Sequence, residues 1–119
     1  MTLHLDLPYL NYILDIIADI ENSAGNISKD KFLKEKDIKE ANVRRIEMIS
    51  ETIKNLSVSL KNKYKDNPWE NLAIIKTKIA DQYFGVDFNI IWEVLKKDIP
   101  LLKENILKIR EDIQKGVKK

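Results

Sequence analysis

The chain has 119 residues, a formal net charge of +2 and no cysteine. The length corresponds to a single domain over residues 1–119, and the lack of cysteine excludes disulfides and thiolate metal sites. A sequence pI of about 8.7 is too mildly basic to indicate nucleic-acid binding by itself. Because no long apolar run and no secretory signal are present, we expect a cytoplasmic protein that does not cross a membrane.

Two helices are predicted in the first part of the chain. The first has Pro8 in its opening turn and ends between Ser23 and Gly25. Ser28 is an N-cap candidate for a shorter helix that carries Phe32. The spacing i, i+3, i+4 and i+7 gives the first helix its apolar face: Leu10, Ile13, Leu14 and Ile17.

A single long helix is predicted from about Asp37 to Tyr64, and Lys65-Asp66-Asn67 breaks it. Its apolar residues alternate by threes and fours, which is typical of a helix that packs against other helices. We expect the first and last helices to cover this seam in the core. The seam consists of Val43, Ile46, Ile49, Ile53, Leu56 and Leu60.

Three further helix starts are predicted in the second half. Asn67-Pro68-Trp69-Glu70 supplies an N-cap Asn, Pro at N1 and Glu at N3. The helix that begins there ends at Gly85, and Asp87 can cap the next one. Asp98 opens the last helix, with Pro100 in its first turn. The apolar stripe of the helix that begins at Asn67 consists of Leu72, Ile75, Ile79 and Tyr83. The apolar stripe of the last helix consists of Leu102, Ile106, Ile109 and Ile113.

No run of alternating β-branched residues predicts a strand. The chain is therefore expected to form an all-α antiparallel bundle of about five helices. Four aromatic residues are expected to pack this bundle, the tryptophans with a partner for each indole N–H: Trp69, Trp92, Phe84 and Phe88.

Few residues outside the central motif offer catalytic chemistry. His4 is the only histidine, and in a terminal arm we expect it to be solvated. We expect no metal and no cofactor, because ligand clusters and a glycine-rich phosphate loop are both missing. Arg45 could form surface ion pairs with Glu47 and Glu51. Arg44 and Arg45 could alternatively bind phosphate through their guanidinium groups.

The segment from Lys76 to Asp87 resembles the signature of the HepT-like proteins of the HEPN superfamily. In that signature an Arg-Asn pair precedes His-x-Tyr and then Gly-Val-Asp. Lys76 stands at the Arg position, Asp81 at the His and Tyr83 at the Tyr. The frame of the motif is kept, but its acid–base imidazole is replaced.

Further blocks carry the same resemblance, which covers about residues 8–110. Each block is weak alone, but their order and spacing together are specific. In the block that begins at Arg44, Ser50 stands where the family usually has Gly, and Thr52, just after the block, stands where the family usually has Ala. In chain order, the blocks are Pro8-Tyr-Leu-Asn-Tyr-Ile-Leu-Asp-Ile16, Arg44-Arg-Ile-Glu-Met-Ile-Ser-Glu51, Pro68-Trp-Glu-Asn-Leu72 and Leu95-Lys-Lys-Asp-Ile-Pro-Leu-Leu102.

The resemblance implies a homodimeric HEPN domain that cleaves RNA without a metal, as the toxin half of a type VII toxin–antitoxin module. Its implied partner is a minimal nucleotidyltransferase antitoxin that transfers AMP to Tyr83. On this sequence the implied catalytic residues are Lys76, Asp81 and Tyr83. Arg44 and Arg45 are candidate contacts to RNA phosphate.

The substitutions in the motif leave alternatives open. An aspartate has an ordinary pKa far below 7, so it accepts a proton at neutral pH but hardly donates one. Burial at a dimer interface could raise the pKa of Asp81, or Lys76 could neutralise it in a structural ion pair. Lys76 also lacks the planar fork that holds phosphate bidentately. The alternative functions for this protein are those of a catalytically inactive HEPN scaffold and of a nucleotide-binding partner subunit.

Overall fold

A computed structural model describes residues 3–65, 67, 69 and 87–116. Within these residues the backbone is helical apart from short connections and contains no strand, which confirms the all-α prediction. None of the described helices is long and apolar enough to span a membrane. The described α-helices are α1 Leu7–Ala24, α2 Lys29–Lys34, α3 Lys36–Lys54, α4 Val58–Lys63, α5 Phe88–Glu93 and α6 Ile99–Gln114.

The predictions for the first two helices are confirmed. Pro8 lies in the first turn of α1, where its missing N–H costs no hydrogen bond, and Gly25 follows the last residue. Ser28 caps α2, because its Oγ accepts a hydrogen bond from Lys31 N at 3.1 Å. The segment before α1 forms a 3₁₀ helix, Leu3–Asp6, in which His4 is exposed.

The prediction of one continuous helix from Asp37 to Tyr64 is wrong. The helix stops at Lys54 and α4 begins at Val58. Ser57 has extended backbone and its Oγ accepts from Leu60 N at 3.1 Å, as an N-cap does. The buried carboxylate of Asp6 accepts from both Ser57 N and Ser57 Oγ at 2.8 Å. This contact, 51 residues away in sequence, fixes the break.

The predicted cap at Asp87 is confirmed, since its Oδ1 accepts from Asn89 N at 2.9 Å. Asp98, by contrast, makes no side-chain cap and has helical backbone. A π-helical turn, Val94–Asp98, joins α5 to α6 without a break. Pro100 cannot donate a backbone hydrogen bond, and a π turn is one way to accommodate a proline within a helical run.

Of the described helices, the three long ones, α1, α3 and α6, run antiparallel where they pack against one another. Asn42 near the start of α3 contacts Ser23 near the end of α1, and Asp6 contacts Ser57 at the other end. In the same way Lys103 near the start of α6 pairs with Glu21 at 2.8 Å. Helix α1 therefore packs between α3 and α6.

The predicted core is confirmed for the described residues. Every member of the long seam from Ile46 to Leu60 is buried, and Val43 packs against the core as a partly buried residue. The predicted inner face of α6 is buried as well. Members of the core include Leu10, Ile13, Ile17, Ile46, Ile49, Ile53, Leu60, Leu102, Ile106, Ile109 and Ile113.

The predicted packing role is confirmed for Trp69, Trp92 and Phe88, and the predicted indole partner is confirmed for Trp69. Trp69 is buried, and its Nε1 donates to the backbone oxygen of Tyr64 at 2.9 Å. The ring of Trp92 lies 5.2 Å from that of Phe32. Phe88 packs against the core, under Lys39 Nζ at 4.6 Å. Phe84, which is predicted to pack the bundle, lies outside the described residues, as do Gly85 and most of the helix predicted to begin at Asn67.

Candidate functional site

Of the five predicted site residues, the structure describes two. Lys76, Asp81 and Tyr83 lie outside the described residues, so their catalytic roles stay predictions. Arg44 and Arg45 are neighbours on α3. Because consecutive helical positions differ by about 100°, their side chains leave the helix in different directions. The two arginines therefore have different surroundings.

Arg44 is available to a ligand. Its side chain is 73% exposed, and its Nη1 is 3.9 Å from Glu47 Oε1, one turn along the helix. An exposed ion pair this long contributes little free energy. The Arg44 guanidinium can therefore leave Glu47 and bind an anion at small cost.

Arg45 is more constrained, because its Nη1 donates to Asn42 Oδ1 at 3.2 Å. Asn42 is fully buried, and its Nδ2 donates to Ser23 Oγ at 3.1 Å and to Ile38 O at 2.9 Å. This network joins α3 to α1. The predicted surface pairing of Glu47 is with Arg44 rather than Arg45, since an i,i+3 pair lies on one side of a helix.

Arg44 opens onto a surface cleft between α1 and α3. The cleft has a volume of about 360 Å³. Tyr12 of α1 forms one wall and is 46% exposed. The other wall is a single face of α3, because its positions are three or four residues apart. The lining residues are Tyr12, Arg44, Glu47, Met48, Glu51 and Thr52.

The cleft combines an aromatic ring, one cation and two carboxylates. Lys54 Nζ, 3.9 Å from Glu51 Oε2, adds a second positive charge nearby. Thr52 Oγ1 donates to Met48 O at 2.8 Å, so its proton is already used within the helix. The cleft can stack a planar group, accept hydrogen bonds and hold one anion. The sequence alone does not assign Tyr12 to a site, because nothing in the spacing of α1 shows which helix it faces. The helical spacing of positions 44, 47, 48 and 51 does indicate that these residues share one face of α3.

Among the described residues, two groups outside this cleft have perturbed pKa values. Burial, the hydrogen bond to Asp112 and the negative charge of Asp112 raise the pKa of Tyr64 to about 12. Burial raises the pKa of Asp98, against the opposing effect of Lys97. Among the described residues, no cluster of three or more His, Asp or Glu side chains could hold a metal ion.

Comparison with known proteins identifies several relatives. A Methanocaldococcus jannaschii protein named "Gamma-glutamylcyclotransferase and putative RNase" is 46% identical over 108 residues, which cover 91% of this chain and 49% of that protein. The chain thus spans about half the length of that relative. A second protein of the same organism, named "Putative RNase", is 38% identical over 89% of this chain and 88% of its own length.

A third relative is the "Probable ribonuclease HepT" of Thermococcus cleftensis. It is 35% identical over 87% of this chain and 94% of its own length. No solved structure matches the chain. The family described as "Ribonuclease HepT-like" matches residues 13–109, which include the central motif and the α3 wall of the cleft but not Tyr12. The chain therefore belongs to the HepT-like ribonuclease family.

Proposed function

We propose that this protein is a metal-independent endoribonuclease and the toxin component of a type VII toxin–antitoxin module. The observation that carries the proposal is the family match over residues 13–109, which includes the complete frame of the central motif. The names of the relatives, each containing RNase or ribonuclease, support RNA as the substrate. We also propose that the protein forms a homodimer and that it is located in the cytoplasm.

The proposed chemistry uses the three motif residues. Lys76 attracts the scissile phosphate, and Asp81 accepts the proton of the attacking 2′-hydroxyl. Tyr83 lies two positions after Asp81 and can donate a hydrogen bond to the phosphate or the leaving oxygen. Since Asp81 replaces a histidine of the family, proton donation to the leaving group is expected to be the weak step.

The exposed guanidinium favours Arg44 over Arg45 as the phosphate contact. Within the described part of the chain, Arg44 is held by a 3.9 Å contact to Glu47. Arg45 would have to give up its hydrogen bond to Asn42, whose amide links α3 to α1. Substituting Arg44 is therefore expected to weaken RNA binding, whereas substituting Arg45 is expected to lower stability as well.

The nuclease proposal is tested by RNA cleavage with purified wild type, Asp81→Asn and Lys76→Ala. General acid–base groups typically contribute about 10²–10⁴-fold, so we expect Asp81→Asn to lose at least about a hundredfold in rate. Asp15→Asn and Lys97→Ala, at exposed positions of α1 and the π turn, are the matched controls. Cleavage that survives in both motif variants at the control rate would contradict the proposed site.

The antitoxin part of the proposal is tested separately. We expect incubation with ATP and the proposed cognate minimal nucleotidyltransferase to add the mass of AMP to Tyr83. Tyr83→Phe should abolish the addition, and Tyr9→Phe should not affect it. An unchanged mass together with the absence of a complex would reject the partner assignment but not the nuclease.

A catalytically inactive HEPN scaffold is the second candidate. It is favoured by the presence of Lys76 and Asp81 where the family has Arg and His, because that pair lacks both the phosphate fork and the imidazole. No cleavage by the wild type, together with stable binding to the nucleotidyltransferase, would support this alternative.

A further inference from the structure

The cleft between α1 and α3 has the chemistry of a nucleobase subsite. Its wall from α1 is the ring of Tyr12, which is 46% exposed. Unpaired RNA bases are commonly bound by stacking on such exposed aromatic rings. Its volume of about 360 Å³ lies in the lower part of the range for small-ligand sites, about 300–1,000 Å³.

The carboxylates on the α3 wall restrict which base can enter. The side chain of Glu47 is 26% exposed and projects into the cleft beside the guanidinium of Arg44. A carboxylate only accepts hydrogen bonds. Guanine presents two adjacent N–H donors on its Watson–Crick edge, at N1 and at the exocyclic N2, whereas adenine presents an unprotonated N1 at that position. A carboxylate therefore accepts two hydrogen bonds from the guanine edge, whereas the adenine edge offers it one donor, at N6, beside an N1 lone pair that repels it.

The phosphate adjoining the base also has a partner. Arg44 is 73% exposed, and its pairing with Glu47 is long. A guanine that occupies the Glu47 carboxylate releases Arg44 for the neighbouring phosphate, where a charge-assisted hydrogen bond is strong. One turn of α3 thus offers an acceptor for the base and a donor for the backbone.

We propose that this cleft is a guanine-selective subsite for an unpaired residue of the RNA substrate. Tyr12 stacks on the base, Glu47 accepts from N1–H and N2–H, and Arg44 contacts the adjoining phosphate. The inference rests on the proposed function, because it takes RNA as the substrate, and it goes further in naming the base that is selected.

The test is the binding of short oligouridines that carry one central guanosine, inosine or adenosine. A 2′-O-methyl backbone prevents cleavage by the 2′-hydroxyl during the measurement. A bidentate contact to a base edge discriminates by roughly fivefold or more, so we expect guanosine to bind at least about fivefold more tightly than adenosine. Inosine, which lacks the N2 amine, should lie between them.

Variants of the cleft separate its parts. Tyr12→Ala should weaken guanosine binding by about fivefold or more, as loss of base stacking does, and Tyr12→Phe should retain it. Tyr9→Ala is the matched control, because Tyr9 is 40% exposed on the same helix but does not line the cleft. Glu47→Gln should bring the guanosine-to-adenosine ratio close to one.

Equal affinity for guanosine and adenosine in the wild type would overturn the inference, as would equal losses in Tyr12→Ala and Tyr9→Ala. If RNA is still cleaved in either case, the subsite is rejected and the nuclease proposal stands. If the wild type neither cleaves RNA nor binds any of the oligonucleotides, both are rejected. Circular dichroism of each variant verifies that the helices are intact.

Discussion

Tyr64 lies at a junction of three segments of the chain. Its hydroxyl donates to Asp112 Oδ2 at 2.9 Å, and its backbone oxygen accepts from Trp69 Nε1 at the same distance. The hydroxyl therefore ties the end of α4 to α6. Burial of the phenol and its hydrogen bond to Asp112 both favour neutral Tyr64 in the folded state, and together with the negative charge of Asp112 they raise its pKa.

The raised pKa predicts a loss of stability at high pH. In the unfolded chain Tyr64 ionises near 10.0, while in the fold its pKa is about 12. Its contribution is thus complete below pH 10 and is lost as the pH rises to about 12, because the unfolded state releases the proton first. Urea unfolding of Tyr64→Phe should show about 1 kcal/mol lower stability near pH 7.

The difference between wild type and Tyr64→Phe should shrink above pH 10. Tyr9→Phe, at an exposed position, serves as the control and should match the wild type near pH 7. A difference between Tyr64→Phe and wild type that does not change with pH would show that the hydroxyl bond to Asp112 is not the cause.

At the scale of the element, the break between α3 and α4 depends on one capped turn. Ser57 caps α4 and is itself held by the buried carboxylate of Asp6. Ser28 caps α2 through its Oγ in the same way, but its hydrogen bond is exposed. The described helices thus include two serine caps that differ in the presence of an acidic partner.

This pair of caps gives a direct comparison. Loss of an N-cap serine costs typically about 1 kcal/mol, and a hydrogen bond to a charged group contributes about 1.5–3 kcal/mol. We expect Ser57→Ala to lower the free energy of unfolding by about 2 kcal/mol and Ser28→Ala by about 1 kcal/mol or less. Urea denaturation followed by circular dichroism measures both.

A double-mutant cycle identifies the cause of the larger loss. Asp6→Ala combined with Ser57→Ala should cost less than the sum of the two single changes, since they remove the same contact. Strict additivity, or equal losses for the two serines, would contradict the proposed role of Asp6.

The π turn is a second feature at this scale that joins separate elements. Within it, Lys96 Nζ donates to Ala24 O at 3.1 Å and to Gly25 O at 3.4 Å, at the end of α1. The same ammonium lies 4.5 Å from the centre of the Trp92 ring. Carbonyl groups at a helix end have no partner in the helix and carry partial negative charge, so a cation stabilises them.

For the whole molecule, α1 is the central element of the described structure. It is antiparallel to both α3 and α6, and Leu10, Ile13 and Ile17 are almost completely buried. Truncating a residue in this position leaves a cavity between three helices, and such cavities collapse only in part. The stability of the bundle should therefore depend strongly on this helix.

Ile13→Ala is expected to lower the free energy of unfolding by about 2–5 kcal/mol. Leu101→Ala is the matched control, since Leu101 is 43% exposed on α6 and should change stability by about 0.5 kcal/mol or less. Chemical denaturation of both variants tests this. Similar losses for the two would show that α1 is not the centre of the cooperative unit.

The sequence by itself determined the helical class, the ends of α1 and the core faces of α3 and α6. These follow from local rules: proline at a helix start, serine at a cap, and apolar residues three and four apart. It also placed the family motif around Lys76, Asp81 and Tyr83, because that motif is a pattern of order and spacing. Their catalytic roles stay predictions.

The tertiary structure alone decided features that depend on distant residues. The break after Lys54 requires Asp6, which lies far away in the sequence, and no helical period reveals it. The cleft forms only because Tyr12 of α1 and Arg44 of α3 lie on facing helices. The hydrogen bond that constrains Arg45 depends on Asn42, which is itself held by Ser23 of α1. Spacing along one helix determines which side chains share a face, but only packing determines what that face meets.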